Sequence, residues 1–278
     1  MIELRKLFTP TEAMDSDEAR KYMAEHSEGT YTLLDVRQPG EYEEDHIPGA
    51  KLVPLGDLKE GTQDLDPAKP TLVYCAIGGR SRVAAQLLSG RGFQEVYNLS
   101  GGIKAYRGDK ASGPQELNLD MVRGDESPEE MLKLAFGLEQ ALEIFYDKCL
   151  EQAEDKDLKD LFTKLEHVEA VHKKKIYDRY AALVENAPDM AAFEADMTSD
   201  VMEGGFQVKD FLAANQPWLK SLLEVLELAM MLETQALDLY MRFAEKSQEE
   251  GTKQVLFTLA DEEKAHLKSL SRLFDEKR

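Results

Sequence analysis

One pattern of acidic and imidazole side chains occurs twice in the second half of the chain. Each copy has a glutamate, a tyrosine seven residues later, and a Glu-x-x-His motif that begins thirty residues after the first glutamate. The copies are Glu139, Tyr146, Glu169 and His172, then Glu233, Tyr240, Glu263 and His266. Helical residues three or seven apart share a face, so each glutamate lies on the same side as its tyrosine or its histidine.

The chemistry of these side chains indicates a metal centre. Four carboxylates in one bundle core would repel one another and be costly to desolvate, unless cations offset their charge. Oxygen and nitrogen ligands without thiolates suit two iron ions, with manganese as the alternative. The predicted ligands are Glu139, Glu169, His172, Glu233, Glu263 and His266.

Each of these residues also has a purely structural interpretation. A single Glu-x-x-His is usually a solvated helix face, and only its duplication at one spacing argues against chance. Tyr146 and Tyr240 either hydrogen-bond the ligating carboxylates or pack in the core with a polar tip. Glu143, one helical turn after Glu139, is either a seventh metal-facing side chain or an exposed glutamate.

Residues 128–275 resemble the rubrerythrin branch of the ferritin-like family. The resemblance implies a di-iron centre that peroxide or dioxygen oxidises and an electron donor, unidentified from the sequence, re-reduces. The chain departs from the family in lacking the cysteine pairs of a rubredoxin-like module. Some members also carry a further carboxylate one turn after the third-helix glutamate, where this chain has Ala236.

A cysteine opens a glycine-bearing loop in the first half of the chain. Cys75 ends an apolar run predicted as a strand, and a helix is predicted after the loop. Backbone N–H groups at a helix N-terminus, with Arg80 and Arg82 nearby, would lower the pKa of the thiol and favour a nucleophilic thiolate. The alternative is a buried cysteine at a strand end. The predicted catalytic pair is Cys75 and Arg80, and the predicted substrate-binding loop is Ala76, Ile77, Gly78, Gly79 and Ser81.

Four motifs over residues 5–108 resemble the rhodanese family in content and order. They are Leu34–Arg37, Glu41–Tyr42 with His46–Ala50, Cys75–Ser81, and Gly92–Phe93 with Leu99–Tyr106. The resemblance implies that Cys75 takes a sulfane sulfur from a small donor, holds it as a persulfide and passes it to a thiol or other thiophilic acceptor. Similar phosphatases have one more residue between cysteine and arginine, so the smaller loop here favours a persulfide. Asp35 and Arg37 are expected to form an internal ion pair.

The hydrophobic pattern of the chain differs between its two halves. Short β-rich runs at 31–36, 51–54, 71–75 and 95–99 alternate with helical stretches such as 16–26 and 81–91, which predicts a parallel sheet with helices on both faces. Helices are predicted near 128–153, 156–186, 217–247 and 252–275, joined by a long crossover at 187–216 that is partly helical around 190–197. Together with the two family resemblances, these patterns predict an α/β rhodanese-like domain (1–110), a linker (111–126) and an all-α ferritin-like four-helix bundle (127–278).

Composition excludes several classes of function. The net charge is −20, of which −4 falls in residues 1–110 and −16 in the remainder, so broad nucleic-acid binding is not expected. No apolar run approaches the length of a membrane span. Two cysteines exclude a disulfide framework, and we expect a reducing cytoplasm. A homodimer is expected by analogy with rubrerythrin-like bundles.

The two halves together predict a sulfurtransferase coupled in one chain to a non-haem di-iron site that reacts with peroxide, dioxygen or sulfur species. The alternative is an iron-handling, ferroxidase-like bundle whose rhodanese domain is a non-catalytic sulfur sensor or binding module.

Overall fold

The structure is a computed structural model that describes residues 12–197, 199–215 and 220–278. Residues 1–11 of the predicted first domain and residues 217–219 of a predicted bundle helix lie outside the described residues. The chain divides into two compact units, Met1–Leu117 and Asn118–Arg278. The division lies inside the segment 111–126 that the sequence predicts as a linker.

The first unit is built on a five-stranded parallel sheet. Its strands are β1 (Glu12–Met14), β2 (Thr32–Asp35), β3 (Lys51–Leu52), β4 (Thr71–Tyr74) and β5 (Val96–Leu99). They lie in the order β1-β5-β4-β2-β3, and every adjacent pair is parallel. The helices are α1 (Ser16–Glu25), α2 (Pro39–Glu44), α3 (Leu58–Gly61), α4 (Gly79–Ser89) and α5 (Gly102–Ala105). This architecture confirms the predicted α/β fold class.

Alternating residues of the central strands supply a core on each face of the sheet. Leu34 and Val73 pack with Leu88 of α4 on one face. Their sequence neighbours Leu33 and Leu72 point to the other face. Because both faces are covered, β4 is buried along its whole length and reads in the sequence as a continuous apolar run.

Four long helices dominate the second unit. They are α6 (Pro128–Gln152), α7 (Lys156–Leu183), α10 (Leu222–Lys246) and α11 (Glu250–Lys277). The crossover between α7 and α10 contains α8 (Met190–Ala195), β6 (Val201–Met202), β7 (Phe206–Gln207) and α9 (Val208–Asn215). Strands β6 and β7 form an antiparallel hairpin, and neither this hairpin nor α9 is predicted from the sequence. The helical second unit confirms the predicted bundle class.

The start of α6 follows from its sequence. Ser127 accepts a hydrogen bond from the Glu130 N–H, and the Glu130 carboxylate accepts one from the Ser127 N–H. Pro128 occupies the first helical position, where its missing N–H costs nothing. The observed start at Pro128 agrees with the helix predicted near residues 128–153.

The bundle interior consists of two hydrophobic clusters stacked along the helices. One cluster includes Leu138 of α6, Ala236 of α10 and Ala260 of α11. The other includes Ala141 of α6 and Leu232 of α10. The glutamates of the repeated pattern fall between these clusters along their helices, so they lie between two apolar layers of the bundle. Within the described residues, no helix is long and apolar enough to cross a membrane.

Candidate functional sites

The Cys75 side chain lies at the end of β4, within a loop of backbone donors. Its Sγ accepts a hydrogen bond from the Gly78 N–H at 3.1 Å and another from the Ser81 hydroxyl at 3.4 Å. Gly78 precedes α4 with φ +92°, a left-handed conformation that glycine adopts without strain. The loop therefore turns its N–H groups toward the sulfur at the N-terminus of α4.

The short helix α5 holds this loop in place from outside. The Cys75 carbonyl accepts from the Ile103 N–H at 2.9 Å, and the Ala76 carbonyl accepts from the Lys104 N–H at 3.1 Å. Gly102 has φ +60°, and a Cβ at that position would lie 2.1 Å from the Cys75 carbonyl oxygen. The glycine is thus required because two backbones approach closely behind the thiol.

The surroundings of Cys75 favour its thiolate. Burial raises the pKa of the thiol, but the hydroxyl of Ser81 and the N–H groups of Ser81, Ile77 and Gly78 outweigh it, so the pKa lies below the usual thiol value. From the sequence, Arg80 and Arg82 are also expected to lower this pKa. Arg82 is exposed, and the main lowering causes are the hydroxyl and the backbone donors.

Arg80 is held by a carboxylate from α2. Its guanidinium donates two hydrogen bonds to Glu41, with Nη1–Oε2 at 2.7 Å and Nη2–Oε1 at 2.6 Å. The bond to Arg80 lowers the pKa of Glu41 to about 2. Glu41 first, and the charge on Cys75 after it, raise the pKa of Arg80. Arg80 therefore lies close enough to interact with the charge on Cys75, and Glu41 holds its guanidinium.

The other predicted loop residues surround the thiol with different exposures. Ser81 is fully buried, Gly78 is buried, Ala76 is half-buried and Gly79 is exposed. Ile77 is 68% exposed, so it offers an apolar contact at the mouth of the loop. At the end of the neighbouring strand β2, the predicted ion pair between Asp35 and Arg37 is confirmed, at 2.7 Å between Oδ2 and Nη2.

In the second unit, the structure brings the six predicted metal-binding residues together as two triads. His172 Nδ1 lies 3.0 Å from Glu169 Oε2 and 3.6 Å from Glu139 Oε2. His266 Nδ1 lies 2.8 Å from Glu263 Oε2 and 3.4 Å from Glu233 Oε2. Within each triad, one candidate ligand atom per residue lies within 4.8 Å of the others.

The two triads adjoin each other. The rings of His172 and His266 are stacked, with centroids 3.4 Å apart and planes 5° apart. A third group spans the triads and consists of Glu139, Glu203 and Glu263, again with candidate ligand atoms within 4.8 Å of one another. The arrangement is one cluster of five carboxylates and two imidazoles in the middle of the bundle.

The unpaired atoms of this cluster fit a pair of metal ions. Glu139 Oε2, Glu169 Oε1 and Glu203 Oε2 are buried without a hydrogen-bond partner among the described residues. Burial is the main cause that holds the pKa values of these three glutamates and of Glu263 well above the ordinary value, and neighbouring carboxylates add to it. Oxygens that lack donors and repel one another are the surroundings that a divalent cation stabilises.

The pKa values of Glu233 and His266 are lowered, unlike those of the other four glutamates. Burial raises the pKa of Glu233, but hydrogen bonds involving His266 and Glu263 outweigh it, and the net pKa is lowered. Burial lowers the pKa of His266. A neutral imidazole and an ionised carboxylate are the protonation states that bind metal.

Sequence reasoning misses Glu203 and leaves Glu143 undecided. Glu203 lies in the β6–β7 hairpin and is 1% exposed. Glu143 instead pairs with Lys173, with Oε2–Nζ at 2.5 Å, so it is occupied outside the cluster. The signal for Glu203 is the Glu-Gly-Gly sequence at 203–205, which indicates a tight turn inside an irregular segment.

The two tyrosines of the repeat are not equivalent. Tyr240 donates a hydrogen bond to Glu203 Oε1 at 2.6 Å, a carboxylate of the cluster that is not among the six predicted ligands. The Tyr146 hydroxyl is buried without a partner among the described residues. Cys149 lies in a hydrophobic cluster, and burial raises its pKa to about 12, which agrees with a packing residue.

Together, fold and sites define an α/β domain with a cysteine in a loop of backbone donors, and a helical bundle with a carboxylate–histidine cluster in the same chain. Comparisons with known proteins support both halves. Residues 17–109 match the rhodanese-like domain family and residues 224–278 match rubrerythrin. The rubrerythrin match covers the second copy of the repeated pattern, and the first copy precedes it.

Individual relatives align with about a quarter to a third of the chain. Thiosulfate sulfurtransferase GlpE of Coxiella burnetii is 41% identical over 75 residues, which are 27% of this chain and 70% of that protein. Uncharacterized protein YqhL of Bacillus subtilis is 45% identical over 76 residues. The aligned segment is 27% of this chain, and it spans only 60% of the length of YqhL. A solved rhodanese with anions from E. coli is 34% identical, covers 30% of this chain and 99% of its own, and has a TM-score of 0.28. The chain belongs to the rhodanese family and carries a rubrerythrin domain in its second unit.

Proposed function

We propose that the first unit is a sulfurtransferase in which Cys75 carries the transferred sulfur as a persulfide. The observation behind this proposal is the Cys75 sulfur, which accepts hydrogen bonds from Gly78 and Ser81 at the N-terminus of α4. Such donors stabilise a thiolate nucleophile. The identity shared with a thiosulfate sulfurtransferase supports thiosulfate as one donor.

The residues of the loop define the transfer steps. The Cys75 thiolate attacks the sulfane sulfur of thiosulfate, a new S–S bond forms at Cys75, and sulfite leaves with the electron pair of the broken bond. A thiolate or other thiophilic acceptor then attacks the outer sulfur. Cys75 departs as a thiolate, which the Ser81 hydroxyl and the loop N–H groups again stabilise. Arg80, fixed by Glu41, supplies positive charge for an anionic donor.

The test is sulfur transfer from thiosulfate to cyanide by the full chain. We expect Cys75→Ser to abolish transfer and to lose the mass increase of one sulfur atom that wild type shows after incubation with thiosulfate. Cys149→Ser is the matched control, and it should retain both. Transfer by Cys75→Ser at the wild-type rate would show that the persulfide assignment is wrong.

We propose that the second unit holds two iron ions, with manganese as the alternative. The buried oxygens of Glu139, Glu169 and Glu203 that lack donors are the supporting observation. Bound iron would supply the electrons for reaction with peroxide, dioxygen or sulfur species. The protein's own contribution is to hold the ions with two imidazoles and the carboxylates, and to exclude water with the hydrophobic clusters above and below.

Metal analysis of protein expressed in metal-replete medium tests this second proposal. We expect two iron or manganese ions per chain in wild type and a clear loss after Glu233→Ala, which removes one carboxylate from the second triad. Wild-type protein without either metal would contradict the assignment.

The proposal also couples the two units in one reaction sequence. Ferrous full-length protein would be mixed with peroxide or dioxygen, with and without thiosulfate, and compared with Cys75→Ser. Coupling is supported if thiosulfate changes the rate of peroxide or dioxygen consumption by wild type and does not change it for Cys75→Ser. Equal consumption in all cases would favour the iron-handling alternative. A thiophilic acceptor, an unidentified electron donor and a homodimer complete the proposal, and light scattering tests the last.

A further inference from the structure

Glu203 is an acidic residue of the bundle interior that belongs to neither copy of the repeated pattern. Glu203 lies in the three-residue loop that joins β6 and β7, where Met202 pairs with Phe206. The crossover, which connects α7 and α10, therefore adds a carboxylate to a cluster whose other carboxylates come from the four long helices. The side chain is 1% exposed, so its carboxylate is not accessible to solvent.

The hairpin is built to put Glu203 in this position. Gly204 and Gly205 have φ values of +76° and +81°, which L-residues with a Cβ rarely adopt. A Cβ on Gly204 would lie 2.9 Å from Gln235 Cβ, and one on Gly205 would lie 1.9 Å from Asn118 Nδ2. The loop is therefore closely packed against α10, on the helix that supplies Glu233.

The two oxygens of Glu203 have different surroundings. Oε1 accepts the hydrogen bond from the Tyr240 hydroxyl at 2.6 Å. Oε2 has no hydrogen-bond partner among the described residues. Candidate ligand atoms of Glu203, Glu139 and Glu263 lie within 4.8 Å of one another, and the Oε2 of Glu139 is likewise unpaired. A buried, oriented and unpaired carboxylate oxygen beside two other carboxylates indicates a cation between them.

We propose that Glu203 is a seventh metal-binding residue, which the crossover supplies to both triads at once. Glu139 belongs to the first triad and Glu263 to the second, so Glu203 is the residue that the two share. Tyr240 is its positioning residue. This inference rests on the proposed di-metal site and adds a residue that the duplicated spacing does not contain.

The test is Mn²⁺ binding by full-length protein that has been freed of metal with a chelator. Free Mn²⁺ is measured by the sharp electron paramagnetic resonance signal of the aqueous ion, and thermal unfolding is followed with and without the metal. Glu203→Gln keeps the shape of the side chain and removes its charge. We expect its Mn²⁺ affinity to fall roughly tenfold or more, and its metal-dependent rise in melting temperature to shrink accordingly.

Glu143→Gln is the matched control, because Glu143 lies on α6 one turn from Glu139 but is paired with Lys173. It should bind Mn²⁺ as wild type does. Tyr240→Phe should weaken binding less than Glu203→Gln, while a purely structural tyrosine would change the stability of the metal-free protein only. If Glu203→Gln fails to fold, Glu203→Asp, which withdraws the carboxylate by one methylene, replaces it with the same expected direction.

The outcomes separate this inference from the proposed function. Wild type with two bound Mn²⁺ ions and a superimposable curve for Glu203→Gln would overturn the role of Glu203 and leave the di-metal site intact. Wild type without bound metal would overturn both.

Discussion

Removing the Ser81 hydroxyl should move the ionisation of Cys75 without removing the nucleophile. The Oγ of Ser81 donates to the Cys75 sulfur at 3.4 Å, and the Gly78 N–H donates at 3.1 Å. Ser81→Ala deletes the first of these donors and leaves the second. Since Ser81 is fully buried and lies within α4, alanine fits the site and the helix without strain.

The magnitude follows from the strength of one charge-assisted hydrogen bond. Such a bond contributes about 1.5–3 kcal/mol, and one pKa unit corresponds to about 1.4 kcal/mol. Because the backbone N–H donors remain, the loss on Ser81→Ala is expected at the lower end of this energy range. A loss of that size raises the pKa of Cys75 by about one unit. The thiolate fraction below the pKa then falls about tenfold. A more basic thiolate is intrinsically about threefold more reactive, so the net rate there falls about threefold.

The sign of the effect reverses at high pH. Above both pKa values each protein is fully ionised, so the more basic thiolate of Ser81→Ala reacts about threefold faster. The assay is the rate of iodoacetamide alkylation of Cys75 against pH, read by mass spectrometry in a Cys149→Ser background. Ser89→Ala, at the far end of α4, is the control and should match wild type. A uniform loss at every pH, or an unshifted profile, would refute the role assigned to Ser81.

Two further predictions concern the supports of the sites. Glu41→Gln removes the partner of Arg80; because the folded-state pKa of Glu41 is lowered from 4.5 to about 2, its stabilisation is present above about pH 4.5 and is lost as the pH falls toward 2. The free energy of unfolding in urea that Glu41→Gln loses relative to wild type should therefore be larger at about pH 6 than at about pH 3, by up to ~1 kcal/mol for this partly exposed pair. The same loss at both pH values would contradict this prediction. Gly205→Ala should destabilise the bundle by about 1–3 kcal/mol, because position 205 has a left-handed conformation and an added Cβ would collide with Asn118. Gly137→Ala in α6 is the control and should not destabilise it. Equal unfolding curves for the two variants would contradict this prediction.

Helical spacing made much of the bundle predictable. The predicted helix at 128–153 is observed at Pro128–Gln152, and that at 156–186 at Lys156–Leu183. Once those helices exist, positions three and seven apart must share a face, so the side chains of the repeated pattern come together wherever the helices pack. The same local logic identified the Cys75 loop, since a strand, glycines and a helix start are contiguous in sequence.

The contacts that escaped prediction join segments without a shared period. Glu41 and Arg80 are 39 residues apart, and no local rule pairs a glutamate of α2 with an arginine of α4. Glu203 lies in a crossover whose hairpin strands are two residues each, too short for an alternation to be recognised. The three-residue strand Glu12–Met14 escaped for the same reason, because tertiary pairing with β5 rather than propensity makes it a strand.

The crossover glutamate changes the charge of the proposed metal site. The four glutamates of the duplicated pattern would neutralise two divalent cations, and the site would be electrically balanced with the metals in their reduced state. Adding Glu203 makes five buried carboxylates, so an uncompensated negative charge remains beside two divalent ions. In a core closed above and below by hydrophobic clusters, that charge is weakly screened and favours the metal pair whose total charge is higher. If the proposed metal pair is bound, a fifth carboxylate would therefore favour its oxidised state, which is the property that a centre reacting with peroxide or dioxygen requires and a purely structural divalent site does not.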